Sequence, residues 1–153
     1  MEFGCLIEYR KDMVMVTIDQ IARVAHEVNR VYCEIVLGDF NQPHWNEASE
    51  HQRASVIGGV MFALSTPDVT PEASHQAWIR CKRADGWCYG LEKSPQLKQH
   101  PCMLPFNELP REDQVKDRLF LAIVDTLTRL NTEVSMDWQQ QVDAYMGEAN
   151  NRG

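Results

Sequence analysis

Nowhere in the 153 residues do about eighteen apolar side chains run together, so no segment offers itself as a membrane span. The N-terminus lacks a charged stretch leading into a long apolar run, the mark of a secretion signal. A soluble, cytoplasmic protein is expected. Basic charge is scarce: the formal net charge is -7 and the pI is near 5.2, which argues against a protein that coats nucleic acid or an anionic membrane. The five cysteines (Cys5, Cys33, Cys81, Cys88, Cys102) contain no CxxC pair, and free thiols in a reducing compartment are the expectation. Cys81, Cys88, His100 and Cys102 share a region but not the close pairing of zinc ligands, and His26-Glu27 has Arg30 where a zinc-protease motif needs its second histidine. No metal and no cofactor are expected. A Gly-rich phosphate loop, a Gly-x-Ser-x-Gly elbow and a paired-carboxylate motif are all missing, so no catalytic residues are assigned and the chain reads as a non-enzyme.

Strand-like alternation is also poor, whereas helical periodicity is strong, and the fold class is all-α with about five helices. Residues 1–16 hold two short apolar runs, FGCLIEY and MVMV, and form a hairpin or a flexible leader. Thr17 and Gln20 make a capping box ahead of Ile18, Ile21, Ala25, Val28, Tyr32 and Ile35, and Gly38 offers a left-handed stop. After DFNQPHW, Asn46 is the expected cap of helix 2, with Glu47 and Glu50 in its first turn and Ala54, Ile57, Met61 and Leu64 on one face. Gly58-Gly59 lies inside it, each glycine costing about 1 kcal/mol against alanine, and close packing by a neighbouring helix is the expected compensation. Thr70, Pro71 and Glu72 start helix 3, which ends near Asp85-Gly86. Helix 4 begins at Pro110 and places Val115, Leu119, Ala122, Ile123, Thr126, Leu127 and Leu130 on one stripe. A last helix is expected from Met136, capped by Ser135 and carrying Trp138, Val142 and Tyr145, before a disordered tail.

Between helices 3 and 4 runs a long segment without periodicity, yet rich in Trp87, Tyr89, Leu91, Met103, Leu104 and Phe106. Such a composition predicts an ordered loop, with Trp87 and Tyr89 plugging it onto the flanking helices and His100-Pro101-Cys102 as rigid scaffold. The charge there is inverted. From Arg80 to His100 five basic residues face two acidic ones, a local +3 that leaves -10 for the remainder, so a small phosphate-bearing ligand is acceptable at this place. Trp78 and Lys82 are four apart and share a helix face: either the indole is core and the ammonium solvated, or the two meet a base and a phosphate together. Asp117 and Arg118, one turn into helix 4, are either an exposed pair or a polar contact for a ribose or an adenine amino group.

The motifs here are His75-x-x-Trp78, Gly86-Trp87-x-Tyr89-Gly90, His100-Pro101-Cys102, Pro105-Phe106, Leu109-Pro110 and the acidic helix start from Glu112. In that order and spacing they resemble the ryanodine-receptor (RyR) repeat, a module of the large calcium-release channels that also occurs in short bacterial and phage proteins. The stretch LEKSPQLK departs from the family's Pro-x-Arg-Asp run after the turn, so no contact made by that arginine is implied. The implied organisation is a leader (1–16), a helical extension (17–69) similar to that of short phage-type members, a single repeat (70–130), and a C-terminal helix with its tail (131–153). The resemblance implies an adenine or ADP-ribose-type nucleotide as ligand, with Trp78, Lys82, Arg83, Trp87, Tyr89, Asp117 and Arg118 as candidate binding residues. Family repeats pair in tandem whereas this chain has one good copy, HEVN around His26 being a faint echo of HQAW around His75, so the partner surface is expected from the N-terminal helices or from a second subunit, a homo-oligomer and above all a dimer. A protein-interaction module is the competing expectation, and a nucleotide hydrolase built on His75 or His100 with Asp117 a third.

Overall fold

Helix α1, Ile18–Leu37, forms where its ends are chemically closed. The Thr17 hydroxyl accepts from the Gln20 amide and the Gln20 side chain accepts from the Thr17 amide at 2.9 Å, a reciprocal cap, and Gly38 turns the chain at φ 66°. In the computed structural model, which describes residues 16–132 and the isolated positions 143, 146 and 147, three further helices follow: α2, Glu50–Ser65; α3, Pro71–Ala84; and α4, Arg111–Thr132. The expected all-α class is observed. Two-residue strands β1, Cys88–Tyr89, and β2, Gln99–His100, pair in parallel within the long loop, and a 3-10 turn spans Phe106–Glu108. Residues 1–15 of the leader (1–16), and Ser135, Met136, Trp138, Val142 and Tyr145 of the expected last helix, lie outside the described residues.

The start of α2 differs from expectation. Asn46 does not cap it; residues 44–48 close a separate turn, and Ser49 with Gln52 forms the capping box, leaving only Glu50 in the first turn. The cause is a tertiary anchor, because Trp45 is buried and its amide donates to Glu27 of α1 at 2.6 Å, which ties this stretch to α1 before α2 begins. Burial would raise the Glu27 pKa, but the bonds from the Trp45 amide, Arg30 and His44 hold it down at about 2. Beside it, buried His26 donates from Nε2 to the Pro43 carbonyl at 2.8 Å, and His75 does the same to Leu104 across a longer loop. The faint HEVN and HQAW echo thus corresponds to two histidines that each staple a loop to its helix.

The main core joins Ile18, Ile21 and Ala22 of α1 to Trp45, Val60, Ala63 and Val124, with Val16, Phe120, Leu121 and Leu127 packed around them. Val28 and Ile35, expected on the core stripe of α1, are exposed, since a strict heptad drifts around a straight helix and Cys33 takes the inner position. The α4 stripe is likewise displaced: Phe120, Leu121, Val124 and Leu127 face the core, while Ala122, Thr126 and Leu130 are exposed. Residues 119–124 are apolar all round, so periodicity could not choose the face. Gly59 meets the expectation for the glycine pair. A Cβ there would stand 3.2 Å from Phe120 Cζ of α4, whereas Gly58 faces open space.

A second, smaller core lies under the loop, where buried Cys102, Phe106 and Leu109 pack with Trp78 and Leu104. This is what orders the segment. Tyr89, expected to plug it, is 47% exposed, because β1 has both faces open.

Candidate functional site

Helix α3 places His75, Trp78 and Lys82 on the face that the loop covers. His75 is buried, with Nε2 donating to the Leu104 carbonyl at 2.8 Å and Nδ1 donating to Asp117 Oδ2 at 3.3 Å. Acceptors at both nitrogens favour the protonated ring: burial alone would lower its pKa, but the Asp117 bond and the Leu104 carbonyl outweigh it and the pKa is raised. Trp78 stacks on this ring at a centroid distance of 5.6 Å and meets the edge of His100 at 5.1 Å.

Where α3 ends, Gly86 at φ 84° lets the chain reverse, and the Trp87 amide donates to the Lys82 carbonyl at 2.9 Å. The turn lays the Trp87 indole over its own helix. Lys82 Nζ then sits 4.6 Å from the Trp87 ring and 6.0 Å from that of Trp78, a cation between two indoles. Burial and then the charge of Lys93 lower the pKa of Lys82. The return strand depends on Gly90, where a Cβ would come within 2.6 Å of Gln99 Cβ; that close approach sets His100 beside the two tryptophans.

His100 accepts the Cys102 amide at Nδ1 (3.0 Å) and stands 6.4 Å from Trp87. Burial and the charges of Lys93, Lys116 and Lys82 depress its pKa to about 3, so it is neutral at pH 7 with its proton on Nε2, which has no hydrogen-bond partner among the described residues. Behind it, Lys116 donates to Asp113 Oδ1 at 2.7 Å and approaches Cys102 Sγ at 3.5 Å. Burial works against the Lys116 ammonium, but Cys102 and Asp113 prevail and its pKa is raised. Burial in turn pushes the Cys102 thiol up to about 11, which makes it an unreactive packing group.

The structure therefore gathers Trp78, Lys82 and Trp87 into one cluster. Arg83 lies on the exposed side of α3, and Tyr89 stands out on β1 without a ring contact among the described residues. Asp117 is taken up by His75 rather than offered to solvent, and Arg118, one residue on, points away into a shallow depression with Arg111, Gln114 and Val115. Residue spacing missed His100 as part of the cluster, together with the charge of Lys93; the only sequence signal was the local +3. Among the described residues no three of His, Cys, Asp and Glu converge as metal ligands, and no helix is long and apolar enough to cross a membrane.

Compared with known families, residues 65–136 match the family model of the RyR domain, a span running from the last residue of α2 through α3, the loop and α4.

Proposed function

Because residues 65–136 match the family model of the RyR domain, we propose that the chain is a non-enzymatic module that holds an adenine or ADP-ribose-type nucleotide at the Trp78–Lys82–Trp87 cluster. The observation that carries this reading is the Lys82 ammonium resting 4.6 Å from one indole and 6.0 Å from the other. A nucleotide needs both an aromatic face for its base and a cation for its phosphate, and here they lie side by side; stacking of one base on an aromatic side chain contributes about 1–3 kcal/mol. The Nε2 proton of neutral His100 adds a donor, and Lys93 and Arg83 extend the positive field. In a phage-encoded protein such binding amounts to sequestering a host signalling nucleotide.

A hydrolase built on His75 and Asp117 fits the geometry poorly, since both His75 nitrogens are engaged and Asp117 is its partner. The competing protein-interaction reading draws on Leu91 and Leu97, both largely exposed in the loop. A thermal-shift screen with ATP, ADP, ADP-ribose and cyclic ADP-ribose separates these readings. A ligand at a hundred times its dissociation constant stabilises by about 2.7 kcal/mol, roughly 5–10 °C for a chain of this size. Trp87→Ala should abolish most of the shift. No shift with any nucleotide favours the interaction reading, and product appearing over hours of incubation favours the hydrolase.

A further inference from the structure

Helices α1 and α4 each carry a second apolar face that the core leaves uncovered. On α1, about a third of a turn round from Ile18, Ala22 and Ala25, stand Val24, Val28, Val31 and Ile35, spaced four, three and four apart and 37–76% exposed. On α4, Val115, Leu119 and Ile123 are only half-buried and Leu130 is exposed. The Tyr32 hydroxyl donates to the Glu112 carbonyl at 2.7 Å, so the end of α1 lies beside the start of α4 and the two run antiparallel. Their outer stripes flank one seam and make one surface.

The rims of this surface carry opposite charge. Glu34, one oxygen of which is bonded to Arg30, edges α1, where Glu27 is taken up by Arg30, His44 and the Trp45 amide; Arg111 and Arg118 edge α4 and have no ion-pair partner among the described residues. Since Tyr32 is level with Glu112, Glu34 is level with Arg111. We propose that this face is a homodimer interface, with the two-fold axis parallel to the helices, so that α1 of one copy lies over α4 of the other.

That operator sets Glu34 against the partner's Arg111, and the pairing repeats on the other side. A second copy is the occupant because Glu34 and Arg111 stand level on opposite rims of the face, so a two-fold brings each against the other. Its size also fits. Helices of twenty residues are about 30 Å long and pack about 8–10 Å apart, so the strip covers roughly 600 Å² in plane and more over its side chains, close to the ~800 Å² per partner of a standard interface.

Sedimentation equilibrium of the full chain, with circular dichroism to check folding, tests the interface. The expected result is a dimer at micromolar concentration that becomes monomeric, still helical, with Val28→Glu plus Val31→Glu. Arg111→Glu should weaken the dimer about tenfold, counted over its two symmetric contacts, and adding Glu34→Arg in the same chain should restore it. A monomer at all concentrations overturns the proposal. So does a dimer indifferent to the valine pair, or a monomer that melts lower when Val28 is charged, which would show that another segment of the same chain covers the face.

Discussion

Replacing Asp117 by Asn removes the charge that faces the most deeply held histidine while keeping the side chain's shape. The His75 side chain is 5% exposed and that of Asp117 19%, with 3.3 Å between Nδ1 and Oδ2. At an effective dielectric of 20 the bare attraction is about 5 kcal/mol. Desolvation of the imidazolium and the partial exposure of Asp117 offset most of it, and hydrogen bonds to charged groups are worth about 1.5–3 kcal/mol net. That corresponds to roughly 3–12 °C in melting temperature for a chain of this length. The pH dependence gives the sharper test. The folded pKa of His75 is raised above its ordinary value of 6.5, so its contribution is fully present below about pH 6.5 and is lost as pH rises through the folded value. Lys116 opposes that shift and is common to both proteins. Differential scanning calorimetry of the native chain and Asp117→Asn at pH 5.5 and pH 9 should therefore show a large gap that narrows at the higher pH. A gap independent of pH would refute the raised pKa of His75.

His100 should behave in the opposite way to His75. By NMR its ring should stay neutral at pH 5 while His75 is protonated, because burial and three lysines hold its pKa near 3; a His100 midpoint above pH 6 would contradict this. The paired glycines of α2 should separate: Gly58→Ala, facing open space, should stabilise by about 0.5–1 kcal/mol, whereas Gly59→Ala should gain little or lose, since the new methyl would press on Phe120. Urea denaturation of both variants measures the difference. Phe106→Ala should cost about 3–5 kcal/mol by emptying the loop's own core, and a cost under 1 kcal/mol would mean the loop is held by something else.

Local chemistry was readable where both members of an interaction lie within four residues. The Thr17–Gln20 box, the Gly38 stop and the Thr70–Pro71 start all stand as the residues imply. Choices between faces were not readable. Asn46 competed with Ser49 for the cap of α2, and the contact that decided it, Trp45 to Glu27, spans eighteen residues. On α4 both faces are apolar, and the residues facing inward include Asp117, whose partner His75 lies on another helix. Within the candidate site, spacing along α3 placed Trp78 with Lys82, but the approach of Trp87 depends on a turn at positive φ, and that of His100 on a parallel strand pair only two residues long. No short-range pattern encodes that pairing.

Isothermal titration of ADP-ribose and ATP into the native chain, Lys82→Ala and Trp87→Ala addresses the nucleotide-binding claim most directly. The account predicts saturable binding at one site per chain for at least one of them, weakened about tenfold or more by either substitution, from a stacking contribution of about 1–3 kcal/mol and a charged contact of similar size. Absence of binding, or affinity unchanged when Trp87 and Lys82 are replaced, would contradict it.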